Sequence, residues 1–564
     1  MTHSRVVLGV NRTQDASICV LSDSSFICSI QKERLTRKKH DWGQLYDFRD
    51  YYVERVPALR LPVDLVVECY SSDREIKNLD AYHRELQEVL TFRSEPRLVS
   101  ISHHWAHLYS TFSLAPADEL AVMVIDFQGS RLEGLSDGWA CPAEADPRWV
   151  EVSSFYHCDA RGVKCVGKQI WDEDRSRPQG LGCFYHLMTR VLFPGEGNEG
   201  KVMGLAPYGD PRALGLPPLT VGDERVSIPE EWVRVFQSEG RFSYFVDGKG
   251  SFQDCANLAA AGQQCFEDAL LKLAEWLHAQ TGAATLCFAG GTALNCVANG
   301  RLLRESPFAH VFIPPSPHDG GTALGCAVYG LTQVLGVPAD FRWVNDFLGP
   351  EPEMSSVERL LAGDREVRVE RPPNLLQRVV ELLDSGRVVG LYQGKSELGP
   401  RALGHRSILA DPRRASLRDF INARVKGREM FRPLAPMVLE QVASEFFDID
   451  RPAPFMQFAA AVRPDKRQVI PAVTHVDGTA RLQTVGERDD PFVYSLLRAF
   501  QARTGVGVLL NTSFNSIGEP IVETVKEAIA CFKATAMDGL VMPPYFISKT
   551  TPAGIPRLEI GGTV

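Results

Sequence analysis

Three apolar runs, each ending abruptly in a small polar turn, constrain this chain more than any other feature. Val6 to Val10 runs into Asn11-Arg12-Thr13-Gln14-Asp15, and Ala16 to Leu21 is apolar again. Leu120 to Ile125 runs into Asp126-Phe127-Gln128-Gly129-Ser130, with Gly138-Trp139-Ala140 expected as the returning strand. Ala284 to Ala289 ends in Gly290-Gly291-Thr292-Ala293-Leu294-Asn295. Short apolar runs bounded by turn residues read as buried strands. Small polar turns after such strands place backbone N–H groups where phosphate can bind. One such turn is most often an ordinary hairpin. Two strand–turn–strand units followed by a strand–Gly-Gly–helix unit predict an α/β protein with a duplicated, actin-like (ASKHA) nucleotide fold.

At 564 residues the chain exceeds what one core usually supports, so at least two domains are expected. Pro338, Pro350, Pro352, Pro372 and Pro373 break the stretch after about residue 330 into short pieces. Helical periodicity resumes at Leu375 to Leu383, and a strand at Val388 to Tyr392 opens a second domain. The expected partition is 1–340, a linker 341–374, a second domain 375–552 and a loose tail 553–564.

Composition excludes several classes. With 44% hydrophobic and 23% charged residues the chain is globular rather than disordered. Its 61 basic against 70 acidic residues, a net charge of −9, argue against a dedicated nucleic-acid binder. No apolar run approaches the ~20 residues of a membrane span. Met-Thr-His-Ser-Arg at the start lacks the features of a signal peptide. The 13 cysteines are scattered and form no CxxC pair, against a disulfide framework or a zinc ribbon. A cytoplasmic protein is expected, with neither nucleic acid nor membrane as partner and a homodimer as a possible assembly.

Chemistry concentrates in a few segments. In His103-His104-Trp105-Ala106-His107 the first and last histidines share a helix face and can converge on one ion, while His104 points elsewhere. Asp126 stands at a strand end and Asp319 heads Asp319-Gly320-Gly321. Two imidazoles and two carboxylates suit Fe(II), Mn(II) or Zn(II). Glu199-Gly200-Lys201-Val202-Met203-Gly204 reads as a glycine-punctuated turn holding a lysine suited to polyphosphate. Farther on, Gly399-Pro400-Arg401-Ala402-Leu403-Gly404-His405-Arg406, Lys426-Gly427-Arg428, Arg432, Arg481 and the strand end Asn511-Thr512-Ser513 gather cations among Gly, Pro and apolar neighbours. Arginine forks bind phosphate bidentately and lysine adds a point charge, so a small anionic substrate is expected there.

Taken in order, HHWAH, EGKVMGLAPYG, FAGGTALN, PHDGGTALG, LGPRALGHRSILADPR, RPLAPMV, HVDGTARLQTV and LLNTSFN resemble the NodU/CmcH O-carbamoyltransferases over nearly the whole chain. The resemblance implies an actin-like first domain, similar to the iron-binding subunit of tRNA threonylcarbamoylation, and a YrdC-like α/β second domain. It implies that ATP, with Mg(II), and carbamoyl phosphate give carbamoyl adenylate in the second domain. The carbamoyl group then passes to a hydroxyl of a small natural product in the first. Carried over by motif, the divalent metal, Fe(II) first, falls on His103, His107, Asp126 and Asp319. Carbamoyl phosphate and ATP fall on Lys426, Arg428, Arg481, Asn511 and Ser513. The adenylate falls on Gly129, Gly200, Lys201, Gly290, Gly291 and Asn295.

One departure stands out. Where the family usually has His-Asp at the first turn, this chain has Gln14-Asp15, and a glutamine cannot accept a proton at neutral pH. Asp15 and His40, the latter in the family-like segment Lys32 to His40, become the candidates for the catalytic base. Acceptor contacts are expected from residues 41–63 and 209–250. Two other readings compete: a tRNA threonylcarbamoylation-type enzyme, disfavoured by the acidic charge, and an actin-like nucleotide module without transferase activity, disfavoured by the cation-rich second domain.

Overall fold

The computed structural model describes residues 4–23, 25–71, 78–111, 114–115, 117–238, 242–243, 250–338, 343 and 345–550. The expected tail, 553–564, lies outside the described residues, as do parts of 209–250 and 341–374. The chain is a mixed α/β protein built around three sheets.

The first sheet contains β1 (Val6–Asn11), β2 (Ser17–Ser22), β3 (Ser25–Gln31), β4 (Leu65–Cys69) and β5 (Leu98–Ile101), in the order β3-β2-β1-β4-β5. The chain continues through β6 (Leu120–Ile125), β7 (Val150–Asp159), β8 (Gly162–Trp171), a small hairpin of β9 (Thr220–Gly222) and β10 (Arg225–Ser227), then β11 (Thr285–Ala289) and β12 (His310–Phe312). The second sheet has the order β12-β11-β6-β7-β8. In each sheet the first strand pairs antiparallel with the next and parallel with the fourth, and the fourth pairs parallel with the fifth. The two sheets thus repeat one connectivity.

Every residue of β1 and of β6 is buried, as continuous apolar runs covered on both faces should be. Helices His103–Tyr109 and Thr322–Tyr329 lie between the sheets. Val7, Leu65 and Val67 from one sheet, Val122 and Val124 from the other, and Leu108, Ala323 and Leu324 from the helices form one core. Gly9 makes the contact possible, since a Cβ there would stand 1.9 Å from the Ala323 carbonyl oxygen.

The third sheet takes β13 (Val367–Glu370), β14 (Val389–Tyr392), β15 (Arg406–Ala410), β16 (Ala435–Leu439), β19 (Gln483–Val485), β20 (Val508–Ser513), β21 (Gly539–Met542) and β22 (Tyr545–Lys549). Beside it, β17 (Ala459–Ala461) and β18 (Thr479–Arg481) form a two-stranded ribbon.

Three expectations need correction. Residues 138–140 are not a strand: β6 returns through β7, and 131–149, interrupted by Pro142 and Pro147, form an irregular excursion. The stretch 341–374 is not merely a connector. It carries helix Ser356–Leu361 and β13, which pairs with β22 at the edge of the third sheet. Glu199–Leu205 is a helix rather than a turn, because Val202 and Leu205 bury a common face while Gly200 sits in its first turn. Among the described residues no helix is long and apolar enough to cross a membrane.

Candidate functional site

Helix His103–Tyr109 begins two residues after β5, and its i, i+4 spacing turns His103 and His107 to one side. Their Nε2 atoms are 3.2 Å apart. Asp126 directly follows β6 and places Oδ2 3.2 Å from His107 Nε2, while Asp319 Oδ1 lies 3.3 Å from His103 Nε2 and 3.6 Å from His107 Nε2. One ligand atom from each of the four lies within 4.8 Å of all the others. Burial opposes charge on both histidines, yet the facing carboxylates raise the pKa of each. Burial pushes both carboxyls up, and at Asp126 the Asp319 charge adds to this, but the imidazoles outweigh it and hold Asp126 and Asp319 below the ordinary range. Four convergent N and O donors of this kind fit a divalent first-row ion.

His104 faces away, as the spacing predicts. Its Nδ1 contacts Ser154 Oγ at 2.7 Å, and burial followed by the Lys168 charge keeps its pKa well below the ordinary value. Behind it lies a fully buried network. Glu151 Oε1 accepts from the amides of His104 and Ser130, at 3.1 and 3.2 Å. Lys168 donates to Glu151, to Asp137 at 2.8 Å and to Ser154 at 2.8 Å. Ser130 Oγ accepts from the His103 amide at 2.8 Å. Glu151 therefore ties the start of the helix to the turn after β6, and Lys168 balances its charge.

The turn after β1 wraps the same centre. Thr13 Oγ1 donates to Asp319 Oδ2 at 2.8 Å, and Asn11 Nδ2 donates to the Asp319 and Asp15 carbonyls at 2.9 and 3.1 Å. Asp15 accepts from His40 Nδ1 at 2.8 Å, and the His40 amide donates to Glu33 Oε2 at 3.1 Å. Asp15 and His40 both adopt positive φ, 56° and 54°, the left-handed region that non-glycine residues rarely occupy. Burial works against a charged His40, but Asp15 overrides it and raises the pKa to about 9. A Cβ on Gly197, itself at φ 71°, would come 2.2 Å from His40 Nε2, so only glycine leaves that nitrogen room.

A cavity of about 690 Å³ begins at His40. Lys39, Asn198, Gly200 and Lys201 line it on one side, and Arg401, Lys426, Arg428, Arg432, Arg481 and Ser513 on the other. Seven lysines and arginines face only three carboxylates, those of Glu196, Glu429 and Asp477, so the cavity calls for a polyanion. Lys201 pairs with Glu429 at 2.9 Å. Lys426 instead donates to the Ser513 carbonyl at 2.8 Å, to Ser513 Oγ at 3.1 Å and to Asn515. Burial, then Arg428, holds Lys426 well below the usual lysine range. Burial and neighbouring guanidinia push Arg401 and Arg428 down to about 9 each. A guanidinium stays charged at neutral pH, so such crowding is relieved by a bound anion rather than by proton loss.

The structure thus brings His103, His107, Asp126 and Asp319 to one centre, Asp15 and His40 to a pair beside it, and Lys426, Arg428, Arg481 and Ser513 to one cavity. Asn511 borders the cavity, but its amide donates to the Ala402 carbonyl and to Gln483 Oε1, both at 2.9 Å, and so braces the wall. Gly200 and Lys201 line the cavity. Gly290 and Gly291 fold against the end of β6, where the Gly291 amide donates to Asp126 Oδ2 at 3.2 Å. Gly129 packs on His104 and Glu151. Asn295 pairs with Gln263 and caps helix Cys296–Glu305. Arg401 and Arg432, placed by the sequence among the cations expected to meet a small anion, do line the cavity, whereas Lys39 was not assigned to it. Lys39 stands in a basic segment of the first half, and no local pattern tells which cation a distant loop will enclose. The Glu151–Lys168 pair left no signal at all.

Two family models match the chain. One described as "Carbamoyltransferase N-terminus" matches residues 69–328, and "Carbamoyltransferase C-terminus" matches residues 380–549. Nodulation protein NolNO of Sinorhizobium fredii is 33% identical over 577 aligned residues, covering 95% of this chain and 79% of that protein. Nodulation protein NolO of Bradyrhizobium diazoefficiens is 37% identical over 461, covering 80% of this chain and 79% of that one. A 3'-hydroxymethylcephem-O-carbamoyltransferase of Amycolatopsis lactamdurans is 29% identical, with 80% of this chain and 81% of that protein covered.

Proposed function

The chain belongs to the carbamoyltransferase family, and from that premise we propose that it is an ATP-dependent O-carbamoyltransferase acting on a small hydroxylated acceptor. The observation that carries this reading is one cavity lined both by a cluster of arginines and lysines and by His40, which Asp15 holds.

At the cationic end, carbamoyl phosphate, water and ATP give carbamoyl adenylate, inorganic phosphate and pyrophosphate. The carbamate oxygen attacks the α-phosphorus and the bond to the β-phosphate breaks. Arg401, Lys426, Arg428 and Arg481, none paired with a carboxylate among the described residues, hold the phosphates and offset the charge that develops on them. Carbamoyl adenylate is labile in water, so a walled passage favours its survival.

At the other end the acceptor oxygen attacks the carbamoyl carbon and AMP leaves. His40 Nε2 takes the hydroxyl proton, and Asp15 orients the ring and stabilises the imidazolium. His103, His107, Asp126 and Asp319 would hold a divalent ion, which supplies Lewis-acid polarisation of the mixed anhydride. The Glu151–Lys168 network keeps the two imidazoles in register.

In this reading the repeated sheets form the actin-like half, and the YrdC-like half begins at helix Ser356–Leu361 rather than at residue 375. Mass spectrometry of hydroxylated metabolites incubated with the protein, ATP and carbamoyl phosphate tests the reading. A carbamoyl mass increment that needs both donors is expected. Consumption of ATP without dependence on carbamoyl phosphate would refute it.

A further inference from the structure

Lys39 lines the cavity, yet the chemistry above gives it no part. Of the seven lysines and arginines around that space, Lys39 and Lys201 come from the half built on the repeated sheets, and the other five from the half around the third sheet. Lys201 is answered by Glu429 at 2.9 Å. Lys39 is exposed and, among the described residues, pairs with no carboxylate. Glu33 offsets part of its charge, but Glu33 Oε2 accepts from the His40 amide at 3.1 Å and Oε1 lies 4.0 Å from Arg34 Nε. Partial burial, then the charges of Arg432, Lys201 and Arg428, hold the Lys39 ammonium below the usual lysine range. Lys426 feels the Lys39 charge in turn. The field around Lys39 is therefore positive and opens on a cavity of about 690 Å³, which gives an anion both room and attraction.

The backbone keeps Lys39 at this seam. Helix Lys32–Thr36 stops at Arg37, whose φ of 62° is left-handed, and His40 repeats that conformation at 54°. Two such residues in one short segment are the kind of strain that functional sites retain. Arg37 donates to the Pro520 and Ile521 carbonyls of the other half, both at 2.7 Å, and His40 is held by Asp15 at 2.8 Å. Lys39 is thus fixed on both sides against the repulsion of Arg428 and Arg432. Its adjacency to His40 says which anion. In the proposed transfer His40 serves the acceptor oxygen as that oxygen attacks the carbamoyl carbon. One oxygen separates that carbon from the adenylate phosphorus, so the phosphate stands close to the segment that carries His40. Lys39 is the cation that this segment supplies to the cavity, whereas its exposed neighbour Lys38 does not line it.

We propose that Lys39 binds the phosphate of carbamoyl adenylate and of the AMP that leaves it. The acceptor oxygen forms its bond to the carbamoyl carbon, and the bond from that carbon to the phosphate oxygen breaks. The electron pair stays on AMP, where the Lys39 ammonium donates to the phosphate, and the hydroxyl proton goes to His40 Nε2. The inference rests on the carbamoyl-transfer reading, and two measurements separate them. Isothermal titration calorimetry of AMP and of adenosine, at one ionic strength, would be run on wild type, Lys39→Ala, Lys39→Arg and Lys38→Ala. Carbamoyl-phosphate-dependent pyrophosphate release is followed on the same proteins, and far-ultraviolet circular dichroism checks each fold. Wild type should bind AMP more tightly than adenosine. Lys39→Ala should cut that preference by about 10–100-fold, the worth of a hydrogen bond to a charged group, through AMP alone. Lys39→Arg should keep part of the preference and Lys38→Ala all of it. Pyrophosphate release should fall far less than AMP affinity in Lys39→Ala, because Arg401, Lys426, Arg428 and Arg481 remain. Wild type without carbamoyl-phosphate-dependent release overturns the transfer reading and this inference with it. With release intact, an unchanged AMP preference in folded Lys39→Ala, or the same loss in Lys38→Ala, overturns the inference alone. So does a folded Lys39→Ala that releases no pyrophosphate, which would place the lysine in adenylation instead.

Discussion

In the proposed mechanism His40 takes the part of the histidine usual at position 14. The Asp15 partnership raises its pKa to about 9, so the free imidazole that can accept a proton is scarce near neutrality. Transfer from pre-formed carbamoyl adenylate should therefore rise with pH and level off above about 9. In Asp15→Asn the charge that lifts the pKa is gone while burial remains, so the midpoint should fall into or below the neutral range. His40→Ala should lower the plateau by about 10²–10⁴-fold, the usual worth of a positioned base. Gln14→His should be neutral or harmful, because the proposed mechanism already gives that role to His40. A pH–rate profile of the three variants checks all of this. The same shift bears on stability. The folded-state pKa lies above the unfolded value, so the stabilisation is complete below about 6.5 and is lost as pH climbs through about 9. At this scale the sequence was only partly legible. Asp15 and His40 were identifiable as candidates, but their 2.8 Å contact depends on how residues 32–40 fold back onto the first turn.

Among the elements, helix His103–Tyr109 depends on a support that its own sequence does not contain. Glu151 on β7 and Lys168 on β8 fix its first turn from behind, and both are wholly buried. Removing one partner of such a pair leaves an uncompensated charge and costs about 3–5 kcal/mol. Lys168→Met and Glu151→Ala should therefore lower the unfolding midpoint and weaken binding of a divalent ion by roughly 10–100-fold. Glu151→Gln, which keeps an acceptor for the His104 and Ser130 amides, should lose less. Equilibrium metal titration against thermal unfolding separates positioning from bulk destabilisation. Equal metal affinity in Glu151→Ala and wild type would remove the positioning role. The strands β1, β6 and β11 were readable from their apolar runs because burial on both faces leaves continuous hydrophobic sequence. The excursion 131–149 and the edge strand β13 were not, since short or irregular segments owe their shape to partners far away in sequence.

Across the whole molecule, the segment between β3 and His40 joins the two halves. Gln31 donates to the Leu398 carbonyl at 2.9 Å, Arg34 to the Gly399 carbonyl at 3.2 Å, and Arg37 to the Pro520 and Ile521 carbonyls, both at 2.7 Å. These loops lead into Arg401 and out of Ser513, so one segment holds the cationic wall and carries His40, the proposed base. Arg37→Ala should loosen that link and let intermediate escape, raising pyrophosphate released per carbamoylated product. Stopped assays with both products quantified would show it, and an unchanged ratio would mean the link is structural alone. The account's central claim is that one chain holds two chemical centres served by one cavity. The most direct test measures carbamoyl-phosphate-dependent pyrophosphate release and carbamoyl transfer side by side in wild type, Arg481→Ala and His107→Ala. The account predicts that Arg481→Ala loses both, whereas His107→Ala still releases pyrophosphate and makes no carbamoylated product. A folded His107→Ala that releases no pyrophosphate, or an Arg481→Ala that releases it at the wild-type rate, would contradict the account.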